Sequence, residues 1–200
     1  TRLTSVTGVQ TCALPIFAGK FGGRRLSAVP GMATRPTTDK VKEALFNIIG
    51  PYFDGGTSLD LFAGSGGLSI EAVSRGVANA ILVDRQYQAI KTIKKNIAVT
   101  KHPEQFTVYK MDAQKALGML AKKGQHFQLV FLDPPYAKQQ IVKDMTAMAE
   151  RELLSDGALV VAETDQTAQL PTADWAGFKF IKQQTYGITV LTIYRYQKEL

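Results

Sequence analysis

Four aspartates that follow apolar stretches of the chain are the residues best placed to do chemistry. An acidic side chain at the end of a strand can accept both hydroxyls of a ribose, as in nucleotide-binding folds. It can also cap the helix that follows, and for Asp112 the two interpretations are equally good. Four such carboxylates in one chain are harder to attribute to capping alone. They are Asp60, Asp84, Asp112 and Asp133, and the last of them begins Asp133-Pro134-Pro135-Tyr136.

A glycine-rich loop with the sequence DLFAGSGG occupies residues 60–67. Glycines allow a backbone to turn sharply into a helix and to approach a ligand closely. The loop differs from the GxGxxG dinucleotide fingerprint, and it lacks the Gly-Lys-Ser/Thr ending of a phosphate-binding loop. The sequence therefore favours a ligand at this loop but argues against a nucleoside triphosphate.

The elements that position these residues alternate between strand and helix along the chain. Such alternation is typical of a doubly wound parallel sheet, in which ligands bind at the carboxyl ends of the strands. The last two strands are expected to form a closing antiparallel hairpin. The predicted strands are 57–62, 80–83, 106–109, 127–132, 158–162, 178–183 and 189–196, and the predicted helices are 68–75, 87–99, 113–122 and 141–153.

The segment before this alternation is the most basic part of the chain. Glycines and a proline in residues 18–30 predict a small hairpin or loop. A helix follows, for which Thr37 or Thr38 is the expected cap and Gly50-Pro51 the end. We therefore divide the chain into a basic hairpin and helix at 17–52 and a main domain at 53–200. The basic residues up to Glu43 are Lys20, Arg24, Arg25, Arg35, Lys40 and Lys42, against the acidic Asp39 and Glu43.

The composition is that of a globular protein, with 45% hydrophobic and 20% charged residues. No apolar run approaches the roughly 20 residues that span a bilayer. The net charge of +7 favours a polyanionic partner such as nucleic acid, although ordinary solubility charge explains it equally well. A single cysteine and two histidines without ligand spacing predict neither a disulfide nor a metal site.

Residues 1–16 fit poorly with the rest of the chain because they show neither helical nor strand periodicity. The segment from Val6 to Ile16, VTGVQTCALPI, reads as the translation of a common sequencing adapter. We hypothesise that residues 1–16 are a non-native segment that replaced the natural start, so that Cys12 is not native either. The alternative is a genuine disordered tail.

The motifs together carry a family resemblance. DLFAGSGGLSIEAVSRG, VDR, MDA and FLDPPY, in this order and spacing, resemble class I S-adenosylmethionine-dependent methyltransferases. The segment AGKFGGRRLSAVPGMATRPTTDKVKEALFNII is similar to the bacterial 16S rRNA guanine-N2 methyltransferases of the RsmD type. The resemblance covers roughly residues 18 to 197. It implies an α/β, Rossmann-like fold with a mostly parallel seven-stranded sheet, helices on both faces, a C-terminal antiparallel hairpin and a small N-terminal β-hairpin.

The resemblance also implies roles for the glycine loop and the aspartates. S-adenosyl-L-methionine is the expected cofactor, with its methionine part above the glycine loop and held by Asp60. Asp84 is expected to take the ribose hydroxyls and Asp112 the adenine amino group. The full expected cofactor set is Asp60, Phe62, Gly64, Gly66, Asp84, Arg85, Asp112 and Ala113.

The resemblance implies that Asp133-Pro134-Pro135-Tyr136 is the catalytic motif that positions an exocyclic amine of a nucleobase for methylation. Such an amine is a poor nucleophile because its lone pair is delocalised into the ring. Asp133 and the carbonyl of Pro134 can each accept one of its N–H groups, while Pro135 stiffens the backbone. Tyr136 can stack on a base taken out of its helix or loop. The alternative is a turn that ends a strand, with Asp133 as a helix cap.

The resemblance implies methylation of 16S rRNA at guanine 966, on the small ribosomal subunit or an assembly intermediate of it. The protein is then expected to be cytoplasmic and monomeric, without a membrane partner. Arg35, Thr37 and Thr38 lie either near the active site or only in the turn before a helix. The residues expected to contact RNA phosphates are Lys20, Arg24, Arg25, Arg35, Lys91, Lys94, Lys95 and Lys101.

Three other functions remain open from the sequence. DNA adenine-N6 methyltransferases share DPPY, but they usually carry a separate target-recognition domain for which 200 residues leave little room. A non-catalytic RNA-binding assembly factor on the same scaffold would be expected to have lost the acidic residues or DPPY. A small-molecule methyltransferase is disfavoured by DPPY and the basic flank.

Overall fold

A computed structural model describes residues 13–31, 36–135 and 137–198. The helices are α1 (Pro36–Ile49), α2 (Gly67–Ser74), α3 (Tyr87–Thr100), α4 (Ala113–Lys122) and α5 (Ala137–Glu150). The strands are β1 (Ala13–Pro15), β2 (Arg25–Ser27), β3 (Thr57–Asp60), β4 (Asn79–Asp84), β5 (Phe106–Lys110), β6 (Phe127–Leu132), β7 (Leu154–Asp165), β8 (Phe178–Tyr186) and β9 (Thr189–Tyr196).

Seven of these strands form one sheet in the order β5-β4-β3-β6-β7-β9-β8. The strands from β3 to β7 are parallel, and β9 runs antiparallel between β7 and β8. The predicted fold class is therefore confirmed, including the C-terminal antiparallel hairpin. Chain order reverses between β3 and β6, and the crevice at such a reversal is where ligands bind in open α/β sheets.

Apolar side chains cover both faces of the sheet. On one face α4 and α5 bury Leu117 and Met145 against the sheet. On the other face α1, α2 and α3 bury Phe46, Ile70 and Ile93. The central parallel strands β3, β4 and β6 are largely buried on both sides, which explains why they read as continuous apolar runs rather than as alternating patterns. Among the described residues, no helix is long and apolar enough to cross a membrane.

The N-terminal hairpin, formed by β1 and β2, packs against the second of these faces. Ile16, Phe21 and Leu26 are each 1% exposed and lie in the same core cluster as residues of the sheet. Residues 13–16 are thus part of the folded protein, although they fall within the segment that the sequence set aside. The adapter hypothesis concerns the origin of these residues and stays a prediction.

The buried carboxylate of Glu71 on α2 fastens this hairpin to the main sheet. It accepts hydrogen bonds from the backbone N–H groups of Phe17 (3.0 Å) and Ala18 (3.1 Å). It also pairs with Lys42 at 3.6 Å and with Arg75 at 2.8 Å. Burial lowers the pKa of Lys42, and the charge of Glu71 opposes that shift. The cluster therefore joins the hairpin, α1 and α2.

Several predicted boundaries were wrong. α1 begins at Pro36, so Thr37 and Thr38 lie inside the helix rather than before it; proline suits the first helical turn because its φ is fixed. α5 spans Ala137–Glu150 rather than 141–153. β7 begins at Leu154 because Phe127 pairs with Leu154 before an irregularity in the ladder. Arg35 lies outside the described residues.

Candidate active site

Three carboxylic acids stand at the carboxyl ends of three adjacent strands, β3, β6 and β7. Asp60 ends β3, and it pairs with Phe131 of β6. Leu132 of β6 pairs with Ala162 of β7, so the next residues, Asp133 and Glu163, follow at the same level. We call Asp60, Asp133 and Glu163 the carboxyl cluster. It straddles the point between β3 and β6 where the chain order reverses.

Asp60 is the most buried member of the cluster, with 3% of its surface exposed. Its carboxylate accepts hydrogen bonds from the backbone N–H of Phe62 at 3.3 Å and from Ser69 Oγ at 3.4 Å. Burial raises the pKa of Asp60 to about 7, and the charges of Asp133 and Asp84 act in the same direction. The carboxyl cluster therefore tends to take up protons, and a cation placed beside Asp60 would favour its ionised form.

The other two members share this electrostatic environment. Desolvation raises the pKa of Asp133 to about 6, even though the residue keeps an exposed surface. Desolvation, followed by the charges of Asp133 and Asp60, raises the pKa of the half-buried Glu163 to about 8.

The glycine loop is fixed by Asp84 at the end of β4. Asp84 accepts hydrogen bonds from the backbone N–H groups of Gly64 at 3.0 Å and Gln86 at 2.9 Å. Gly66 has a φ of +81°, and a Cβ there would lie 3.1 Å from Leu82. Gly64 has a φ of +56°, and a Cβ at Gly64 would have no heavy atom within 4 Å among the described residues. The loop thus presents bare backbone to open space, which suits a ligand lying across it.

Asp112 acts as a helix cap. Its Oδ1 accepts hydrogen bonds from the backbone N–H groups of Gln114 (2.9 Å) and Lys115 (3.3 Å) at the start of α4. Helix capping is the alternative that the sequence left open for Asp112. Both capping hydrogen bonds use Oδ1, so the second oxygen of this exposed carboxylate can accept others. Of the other expected cofactor residues, Arg85 is exposed and Ala113 is buried, while Phe62 is half-buried against the core.

The tetrapeptide is described only as far as Pro135. Pro134 is buried and Pro135 is exposed, directly after the last residue of β6. Tyr136 lies outside the described residues. Within the described ranges, no three histidine, cysteine or acidic side chains are arranged to hold a metal ion.

The two basic segments that the sequence predicted separately lie together. Asn96 of α3 is fully buried, and it exchanges hydrogen bonds with the backbone of Ser27 in β2 at 2.7 and 2.9 Å. Its amide also donates to the carbonyl of Ser65 in the glycine loop at 2.8 Å. The hairpin, α3 and the glycine loop are therefore tied at one residue. Lys20, Arg25, Lys91, Lys94, Lys95 and Lys101 are exposed around them.

The side chain of Arg24 forms hydrogen bonds within the protein. Its guanidinium donates to the carbonyls of Val99 at 3.1 Å and Thr100 at 2.7 Å, at the carboxyl end of α3. A cation at this position satisfies carbonyls that the helix leaves unpaired and complements the helix dipole. Arg24 is thus less available to RNA phosphates than the exposed lysines.

Sequence reasoning missed Glu163 and Asn96. Glu163 follows the apolar run 158–162, which is the same signal that singled out the four aspartates. Asn96 gave no signal, because an asparagine among lysines on a helix reads as a surface residue until its partners are known.

Comparisons with known proteins agree with this geometry. Residues 14–195 match the family described as Conserved hypothetical protein 95. The chain belongs to this family of RsmD-type methyltransferases. YlbH of Bacillus subtilis (strain 168) is 46% identical over 180 residues, which are 90% of this chain and 97% of that protein. Ribosomal RNA small subunit methyltransferase D of Escherichia coli (strain K12) is 34% identical over 163 residues, 80% of each chain.

Solved structures extend the RsmD-type match to the fold. The structure of yhhF from Escherichia coli has a TM-score of 0.79 and 31% identity, and the match covers 94% of this chain and 99% of that one. A conserved hypothetical protein of Streptococcus pyogenes has a TM-score of 0.73 and 49% identity over 78% of this chain and 95% of that one. The likeness to these structures therefore extends over most of the chain.

Proposed function

We propose that this protein transfers a methyl group from S-adenosyl-L-methionine to the exocyclic N2 amine of a guanine in 16S rRNA. By resemblance the nucleotide is guanine 966 of the small ribosomal subunit or of its assembly intermediate. The observation that carries the proposal is the carboxyl cluster at the reversal point of the sheet, with Asp133 opening DPPY. The cytoplasm, where small subunits assemble, is the expected location.

The residues around the glycine loop fit the cofactor. Bare backbone at Gly64 faces open space, Asp84 stands where ribose hydroxyls would need an acceptor, and the carboxyl cluster favours a cation. When bound, S-adenosyl-L-methionine supplies an electrophilic methyl group on a positively charged sulfonium. Asp60 then acts through its charge, and the exposed Asp112 is available for the adenine amino group.

The chain orients the amine rather than activating it covalently. Asp133 and the carbonyl of Pro134 each accept one N–H of the guanine amine, which favours a more tetrahedral nitrogen and directs its lone pair. Rate enhancement comes from position and orientation. The proton that the nitrogen releases passes to the exposed Asp133 carboxylate or to water. Tyr136 is proposed to stack on the base.

The exposed basic residues of the hairpin and α3 are proposed to contact RNA phosphates. Such contacts position the RNA without choosing the base. Asn96 places this surface directly beside the glycine loop, which brings a docked RNA towards the cofactor.

The test is transfer of labelled methyl groups to small ribosomal subunits that lack the modification, followed by mass spectrometry of the nucleosides. N2-methylguanosine in 16S rRNA is the expected product. N6-methyladenine, formed in DNA supplied to the same protein, would indicate the alternative activity. Binding of the cofactor without transfer to either nucleic acid would support a non-catalytic assembly factor and contradict the proposal.

A further inference from the structure

We propose that Glu163 recognises the N1–H of the target guanine, beside the amine that Asp133 orients. This inference rests on the proposed function and adds a residue that selects the base. Glu163 lies on β7 next to the end of β6, one position beyond the paired residues Leu132 and Ala162. Asp133 lies at the same level on β6.

The side of the sheet on which Glu163 projects follows from the strand periodicity. Side chains two residues apart in a strand share a face, so Glu163 shares the face of Val161. Val161 belongs to the core cluster under α1, α2 and α3. Asp60 is paired with Phe131, which is paired with Val161, and therefore Asp60 shares that face too. Asp133, two residues after Phe131, follows on the same face, so the three carboxyls lie at the ends of adjacent strands on one side of the sheet.

Glu163 is half-buried, and no hydrogen bond among the described residues involves its side chain. Asp165, two residues further along β7, differs: it is exposed and accepts hydrogen bonds from the backbone of Thr167 and Ala168 at 2.8 and 3.3 Å. A partly desolvated carboxylate with acidic neighbours gains most from an external N–H donor.

Guanine offers such a donor next to its amine. The N1–H and the N2 amine stand side by side on the Watson–Crick edge, and carboxylates accept from both. Adjacent strands lie about 4.8 Å apart, so Asp133 and Glu163 can meet neighbouring groups of one base. Adenine presents an acceptor at N1, which the ionised carboxylate of Glu163 repels, so the selectivity is measured above pH 8, where Glu163 is ionised. Glu163 therefore selects guanine, while Asp133 and Pro134 serve any exocyclic amine.

The experiment combines one enzyme substitution with one base substitution. Small subunits are reconstituted with 16S rRNA that carries either guanine or 2-aminopurine at the nucleotide that the wild-type protein methylates. 2-Aminopurine keeps the amine but has an acceptor at N1. The wild-type protein is expected to prefer guanine. In Glu163→Gln the amide can donate to that acceptor, so the preference for guanine over 2-aminopurine is expected to fall about tenfold or more.

Controls separate recognition from folding and from the proposed function. Asp165→Asn, on the same face of the same strand, is expected to keep the wild-type preference. An unchanged preference in Glu163→Gln overturns the inference and leaves the proposed function standing. Loss of cofactor binding in Glu163→Gln, measured by calorimetry, also overturns it, because Glu163 would then support the cofactor site. Absence of N2-methylguanosine with the wild-type protein overturns the proposed function, and the inference falls with it.

Discussion

Asp84 fixes the glycine loop and is proposed to bind the ribose as well. Its carboxylate accepts a hydrogen bond from the backbone N–H of Gly64, and it stands at the end of β4, where a ribose is expected. The proposal therefore gives one carboxylate both the loop and the ligand. Asp112, by contrast, uses one carboxylate oxygen to cap α4.

Replacing Asp84 with asparagine tests this difference. The substitution preserves size but removes the charge that strengthens both sets of hydrogen bonds. We expect the dissociation constant for S-adenosyl-L-methionine to rise about ten- to a hundredfold, which is the value of a hydrogen bond to a charged group. Calorimetric titration measures it. An unchanged dissociation constant would show that Asp84 serves the loop alone.

At the scale of elements, the N-terminal hairpin is held by buried charge as well as by apolar contacts. Glu71 is completely buried, and its partners come from three different elements. A buried carboxylate is tolerated only with such partners, and removing it leaves their charges uncompensated.

Glu71→Ala is expected to lower the free energy of unfolding by about 3–5 kcal/mol, because Lys42 and Arg75 lose their buried counter-ion. Guanidinium unfolding measures the change. Glu43→Ala, at an exposed position of α1, is the matched control and should leave the midpoint nearly unchanged. Equal midpoints for the two variants would mean that the ion cluster does not stabilise the hairpin.

The sequence predicted the bounds of an element well where neighbouring residues determine them, and poorly where distant residues do. The bounds of α4 and β6 agree with the prediction, because turn residues and helical spacing define them nearby. β7 was predicted too short because its first pairing, Phe127 with Leu154, comes before an irregularity that only the ladder reveals. The partners of Asn96 lie 31 and 69 positions away, and no local pattern encodes them.

Some residues of the candidate site could be predicted from the sequence, and others could not. The residues after each strand could be predicted, because the carboxyl ends of parallel strands form the ligand-binding edge. Asp112 as a cap and Arg24 as a partner of helix carbonyls could not be distinguished from ligand contacts without the three-dimensional structure. The adjacency of Glu163 and Asp133 follows from β7 lying beside β6, which is a property of the sheet order.

For the whole molecule, the carboxyl cluster links folding and cofactor binding to pH. The folded protein raises the pKa of Asp133 to about 6, of Asp60 to about 7 and of Glu163 to about 8. A carboxyl with a raised pKa binds protons more tightly when folded. Stability of the cofactor-free protein therefore falls as pH rises from the ordinary carboxyl range towards 8.

A sulfonium bound beside Asp60 would reverse this balance for that residue, since it favours the ionised carboxylate. The affinity for S-adenosyl-L-methionine is expected to rise between pH 6 and pH 8, with release of protons on binding. Calorimetry in buffers of different ionisation enthalpy measures both quantities. S-adenosylhomocysteine, which lacks the positive charge, is the control and should show a weaker pH dependence. The same dependence for both ligands would contradict the role of Asp60.

The central claim is that Asp133 orients the amine and does not hold the cofactor. The most direct test is single-turnover methyl transfer to small subunits by Asp133→Ala, with the cofactor dissociation constant measured on the same preparation. We predict a loss of about a thousandfold or more in the transfer rate, since positioning is removed, with a dissociation constant close to that of the wild type. Transfer at the wild-type rate, or a parallel loss of cofactor binding, would contradict the account.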